Sequence, residues 1–198
     1  MNDDDHDDFG FWVPVIILAV IVLALLNASA HSAVFPTKYD SDILRAAGRY
    51  LPGVPWRLYK AQLWQESRLD PAARSPAGAE GIAQFMPATW REIAPFVGAA
   101  GLPRSAARQA IEGGAYYMGR LRHAWSAPRP EDDRHRLALA SYNAGLGNIL
   151  AAQRACDGPS GYDAIMACLP DVTGRYANET LAYAPRIYGW FQMMVVAR

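Results

Sequence analysis

The sequence predicts an all-α domain over residues 31–198, preceded by an acidic terminus and one apolar segment within residues 1–30. Three observations carry that expectation. Apolar side chains recur at helical spacing between short Gly/Pro breaks, without the period-two alternation of strands. Apolar residues make up 52% of the chain and charged residues 19%, which is enough for a core and too few charges for general disorder. One long uncharged run stands apart near the start, and the rest fits a single domain.

That run, residues 9–26, reads FGFWVPVIILAVIVLALL. At about 1.5 Å per residue it is just long enough to cross a bilayer core as a signal or transmembrane helix. Ala28-Ser29-Ala30 then offers an A-x-A cleavage site. Cleavage would release a soluble domain starting at His31, whereas retention would leave a membrane tether. The flanks fit neither case. A signal peptide begins with basic residues, but Asp3, Asp4, Asp5, Asp7 and Asp8 stand here. A retained helix keeps its basic flank in the cytoplasm, and that flank is the C-terminal one, with Lys38 and Arg45. Residues 31–198 carry 19 basic and 14 acidic groups, a net of +5. That suits an anionic polymer and is too small an excess to indicate nucleic acid.

Within the domain a first short helix is expected over 42–51, stopped by Pro52-Gly53. Pro55 suits the first turn of a second helix that runs to about Ser67. Asp70-Pro71 closes it, since the residue before proline resists the α region. Residues 70–81, DPAARSPAGAEG, read as a loop. A third helix spans 87–97, and Ser105 is placed to cap a long one through Trp125. Gly113-Gly114 weakens that helix by about 1–2 kcal/mol in propensity; close approach of another helix would explain the pair, and so would flexibility. Helices over 130–143 and 146–155 follow, with Gly145 as a C-cap between them. The last helix covers 176–196 and carries two apolar stripes. One is Leu181, Ala184, Tyr188, Phe191 and Val195; the other is Tyr183, Ile187, Trp190 and Met194. So much apolar surface implies burial or a membrane neighbour, and Pro185 should bend the helix.

Cys156 and Cys168, twelve apart in a Gly/Pro/Asp-rich stretch, fit a disulfide in an exported chain. They are not spaced as C-x-x-C, and His6, His31, His123 and His135 are scattered, so neither a metal nor a cofactor is expected. Glu66 is the acidic residue to weigh. It sits near the C-terminal end of a helix where its neighbours Leu58, Tyr59, Leu63 and Trp64 are apolar or aromatic. Desolvation and the negative end of the helix dipole both disfavour its charge. A carboxyl that stays protonated near neutrality is a general acid. Asp70, four residues later and before proline, reads as structural.

Four blocks surround it in order: Gln65-Glu66-Ser67, then Gly81-Ile82-Ala83-Gln84-Phe85-Met86-Pro87, then Ser141-Tyr142-Asn143-Ala144-Gly145, then Glu179-Thr180-Leu181-Ala182-Tyr183 ahead of Ala184-Pro185-Arg186-Ile187. Over about residues 55–190 they resemble the catalytic domain of the soluble lytic transglycosylases, within the lysozyme-like superfamily. The resemblance implies an all-α lysozyme-like fold with a deep substrate cleft. It places the catalytic glutamate on Glu66, a cleft-lining set on Ser67, Gln84, Tyr142 and Asn143, and a hydrogen-bonding tyrosine beside the reacting centre on Tyr183. Ile82, Ala83 and Ser141 depart from the family's residues while keeping their apolar or small character. Among the aromatics, Trp90, Trp125 and Tyr116 read as core, and Tyr117 is the first choice for stacking on sugar.

The implied substrate is peptidoglycan. Most glycosidases use two carboxylates, whereas one suffices when the substrate supplies its own nucleophile. The family's glutamate protonates the oxygen bridging N-acetylmuramic acid to N-acetylglucosamine. It then takes a proton from the muramoyl 6-hydroxyl, and a 1,6-anhydro ring forms. The rival readings are a hydrolase of the same fold, resembling goose-type lysozymes, and a wall-binding protein with a dead site. The intact Glu66, Gln84, Asn143 and Tyr183 oppose the second. The implied setting is the periplasm, as a membrane-anchored or secreted enzyme, either in wall remodelling or as a phage endolysin.

Overall fold

In the computed structural model, residues 35–196 are described and form a helical domain; residues 9–26 and the Ala28-Ser29-Ala30 site lie outside them. No helix among the described residues is long and apolar enough to cross a membrane. Helix α1 is Asp40–Tyr50, α2 is Trp56–Ser67, and α3 is Pro87–Ile93, extended by a 3-10 turn over Ala94–Val97. Helix α4 is Ala107–Ala124, α5 Glu131–Ala144 and α6 Leu146–Ala155. Two short helices, α7 (Tyr162–Met166) and α8 (Leu169–Thr173), lead through a 3-10 turn at Gly174–Tyr176 into α9, Ala177–Val196.

Helix α2 is the axis of the domain. Leu58 to Leu63 are buried in unbroken succession, so this helix meets neighbours on every side, α1 and α9 among them. Helix α1 presents Ile43, Ala46 and Ala47 at helical spacing to that core. Its N-terminus is tied down by Asp40, which pairs with the buried ammonium of Lys60 at 2.5 Å. Side chains from α2 and α3 press on α4 at the paired glycines. A Cβ on Gly114 would stand 2.5 Å from the Tyr59 hydroxyl, and one on Gly113 would stand 3.1 Å from the Trp90 ring. Close approach therefore accounts for Gly113-Gly114.

Several boundaries depart from expectation for local physical reasons. Ser105 does not cap α4: the N-cap is Ala106, without a side-chain bond, so the serine lies one residue too far out. The α-helix at 87–97 tightens to 3-10 from Ala94, because Pro95 has no N–H to donate. Helix α2 ends before Asp70-Pro71, at two consecutive left-handed residues, Arg68 (φ 57°) and Leu69 (φ 63°). The Arg68 guanidinium lies over both Trp64 and Trp190, which holds the chain in that turn. Asp70 itself accepts from the Ala72 N–H at 2.8 Å, the local turn bond of an Asx residue. Helices α7 and α8 were not expected. Helix α9 runs through Pro185 and is one-sided: Thr180, Tyr183, Ala184, Ile187 and Met194 are buried, whereas Tyr188 and Phe191 are half-buried and Val195 is exposed. Trp90 and Trp125 are core, and Trp125 donates to the buried Ser141 hydroxyl at 3.0 Å.

Candidate active site

Glu66 sits in the last turn of α2, half-buried where the helix meets α9. The buried Tyr183 of α9 donates its hydroxyl to the Glu66 carboxyl. Desolvation pushes the carboxyl up from its ordinary 4.5 to about 7; the negative charge of Glu179 adds to that, and the Tyr183 bond opposes it. The same burial, with the Glu66 charge behind it, raises the Tyr183 phenol well above 10. Tyr183 therefore stays a proton-bearing donor, and Glu66 exchanges its proton near neutral pH.

One wall of the site is the loop between α2 and α3, held by side chains bonded to its backbone. Ser67 donates to the Ile82 carbonyl at 2.8 Å, and Tyr142 from α5 donates to the Ala83 carbonyl at 2.7 Å. Gln84, in a left-handed conformation (φ 47°), donates to the carbonyls of Gly81 at 2.9 Å and Ala73 at 3.2 Å. Arg104 fastens the outside, donating to the carbonyls of Gly78 at 2.7 Å and Phe85 at 2.8 Å and pairing with Glu80 at 2.9 Å. Only glycine fits at 81: its φ is 83°, and a Cβ would lie 2.1 Å from the Arg104 carbonyl oxygen. Behind this wall Phe85, Tyr117 and Tyr142 form an aromatic cluster, with the Tyr117 and Tyr142 rings 5.4 Å apart.

The surroundings of Glu179, whose charge reaches Glu66, are polar. Thr180 donates to the Asn143 side-chain oxygen at 2.7 Å, and the Asn143 amide donates to Glu179 at 3.1 Å. These three line a hollow with Asn148, Thr173 and Tyr176.

The structure thus sets the bonded Tyr183, the Tyr142 phenol that feels its charge and, one step removed through Glu179, Asn143 about the Glu66 carboxyl. Ser67 and Gln84 stand beside it with their hydroxyl and amide N–H engaged by backbone carbonyls. Tyr117 is half-buried in the aromatic cluster. Cys156 and Cys168 are joined in a disulfide that closes the segment leading to α9. Among the described residues, no group of three His, Cys, Asp or Glu could hold a metal ion.

Sequence reasoning gave no role to Glu179, Thr180, Arg104 or Gln62. Glu179 and Thr180 carried a signal, since they stand four and three residues before Tyr183 and share its helix face. Arg104 carried none, because its partners, two backbone carbonyls and the Glu80 carboxylate, stand far upstream in the chain.

The transglycosylase SLT domain family model matches residues 44–163. Membrane-bound lytic murein transglycosylase F of Erwinia tasmaniensis is 32% identical over 149 residues, which is 72% of this chain and 29% of that protein. The chain thus spans about a third of the length of the curated relatives it matches. Among solved structures, an inactive mutant of lytic transglycosylase Slt from Pseudomonas aeruginosa superposes with a TM-score of 0.62 at 25% identity, over 79% of this chain and 24% of that one. The 70 kDa soluble lytic transglycosylase of Escherichia coli gives 0.61 at 23% identity, over 80% and 24%. The latter shows the shared fold.

Proposed function

We propose that this chain, which belongs to the transglycosylase SLT domain family, is a peptidoglycan lytic transglycosylase with Glu66 as its general acid and base. The observation that carries this reading is the carboxyl raised to about 7 beside a tyrosine that donates to it. Near neutral pH Glu66 holds a proton for much of the time and gives it to the oxygen between N-acetylmuramic acid and N-acetylglucosamine. The leaving sugar departs with that proton. The carboxylate, stabilised by the Tyr183 hydroxyl, then takes the proton of the muramoyl 6-hydroxyl, whose oxygen bonds to C1. A 1,6-anhydro ring closes, no water is consumed, and Glu66 is protonated again.

The supporting residues divide the remaining work. Tyr142 and Gln84 hold the backbone wall against which a sugar ring would lie, and Ser67 fixes that wall to the end of α2. Asn143, Glu179 and Thr180 offer polar groups to orient substrate. Tyr117 supports the backbone wall from the aromatic cluster behind it, and its uncovered edge is the part free to stack on sugar.

The substrate lies outside the cytoplasmic membrane, so the domain acts in the periplasm. It acts tethered if residues 9–26 are retained and free if the chain is cut after Ala30. Fractionation of cells expressing the full chain separates these: a wholly soluble product beginning at His31 excludes the tether, and excludes with it a lysis device that is held first and released later.

The reaction is tested by mass spectrometry of muropeptides released from purified wall by the full chain. Products lighter by one water and resistant to borohydride reduction establish the anhydro ring. Reducible products of full mass would make the protein a hydrolase instead.

A further inference from the structure

Gln62 stands one turn before Glu66 on α2, and only 1% of it is exposed. Residues four apart share a helix face, so its amide lies beneath the same floor as the Glu66 carboxyl. Neither the amide nitrogen nor its oxygen completes a hydrogen bond of standard geometry. A buried amide left unpaired is costly and uncommon. Every neighbour of Gln62 along the buried stretch of α2 is apolar, aromatic or, like Lys60, paired. The Tyr183 hydroxyl is the polar group on which Gln62 acts: it favours the charged form of that phenol, as a donor does. Tyr183 in turn donates to Glu66.

We propose that Gln62 is a positioning residue for the reaction: its amide N–H donates to the Tyr183 oxygen when the site tightens around substrate, and so strengthens the hydroxyl that donates to Glu66. Catalytic hydrogen bonds are often long in the free enzyme and shorten in the complex. A hydroxyl that accepts a hydrogen bond becomes a better donor. The chain Gln62 to Tyr183 to Glu66 therefore favours the carboxylate at the moment Glu66 has given up its proton and must act as base. No bond is made or broken at Gln62 itself. The role depends on Glu66 being the acid and base proposed above, but its test reads the carboxyl directly.

The experiment is ¹³C NMR titration of the Glu66 carboxyl in the full chain, wild type against Gln62→Met. Methionine has nearly the same length and removes the unpaired amide, so the melting temperature holds or rises. The Glu66 midpoint moves upward by about half a pH unit, and the basic limb of the pH–activity profile moves with it. In a Tyr183→Phe background, Gln62→Met leaves the midpoint unchanged, because the link through the hydroxyl is gone. Should Gln62→Met fail to fold, Gln62→Asn, whose amide is too short to reach, shows the same rise. A changed melting temperature with an unmoved midpoint overturns the proposal, as does a shift that persists in full without the Tyr183 hydroxyl. Reducible muropeptides would remove the transglycosylase reading and leave the titration result standing.

Discussion

Glu66 and His135 are two ionisable groups that the fold has taken out of water, and they end in opposite roles. Burial is the leading cause of the shift in each: it lifts the Glu66 carboxyl to about 7 and drops the His135 imidazole to about 3. His135, on α5, is 3% exposed, and neither ring nitrogen has a hydrogen-bond partner. The charge of Arg122 disfavours its protonation further. It is a neutral ring throughout the physiological range and serves as packing beside Leu58 and Tyr188. Glu66 is less enclosed, is touched by the Tyr183 hydroxyl, and feels the charge of Glu179. Desolvation alone makes a group neutral. Reactivity also needs a partner, an opening and a balance point close to the working pH.

The two groups also pull stability in opposite directions. Folded Glu66 keeps its proton up to about pH 7, whereas the unfolded chain releases it near 4.5. Its contribution is therefore fully favourable below about 4.5 and is lost as the pH rises through about 7. His135 runs the other way. The unfolded chain binds a proton near 6.5 and the fold only near 3, so stability is complete above 6.5 and falls as the pH drops toward 3.

Three substitutions sharpen or break this contrast, taken from the largest effect down. Glu66→Gln lowers muropeptide release by about 10³-fold or more, and at pH 8 it raises the unfolding free energy by up to about 3 kcal/mol, because the costly carboxylate is gone. Loss of activity without any gain in stability would show that the carboxyl is not raised. Tyr183→Phe keeps the ring and removes the donor. It should cost about 10–100-fold in kcat, and the basic limb of the pH–activity profile should move upward, since the lost bond favoured the carboxylate. An unmoved limb would separate Tyr183 from the titration of Glu66. His135→Leu should leave activity within about twofold and flatten the acid side of the stability profile, a gain of about 2 kcal/mol at pH 5. A large loss of activity at neutral pH would place His135 in the site and end the contrast.

The legible and illegible parts of this molecule differ in the range of the interactions involved. Helices α2, α4, α5 and α9 could be read from apolar spacing and Gly/Pro breaks, because those signals are local. Glu66 could be read as well, from its apolar helix and from the four blocks that mark a family resemblance. Helices α7 and α8 could not, since each is five residues long; α7 lies between Cys156 and Cys168 and α8 starts directly after Cys168, in a stretch where Gly and Pro dominate the local signal. Which stripe of α9 faces inward depends on what α2 and α5 present to it, and both stripes look alike in isolation. Gln62 reads as an ordinary polar residue in a helix until the packing shows it buried beneath the site. Arg104 acts on carbonyls far upstream, so its work appears only in three dimensions.

Whether Glu66 is the proton donor is read most directly from the titration midpoint of its carboxyl in the wild-type full chain, measured by ¹³C NMR. The expected midpoint is near 7. A midpoint near the ordinary 4.5 would mean that the carboxyl is charged at neutral pH, and Glu66 could not be the proton donor of this site.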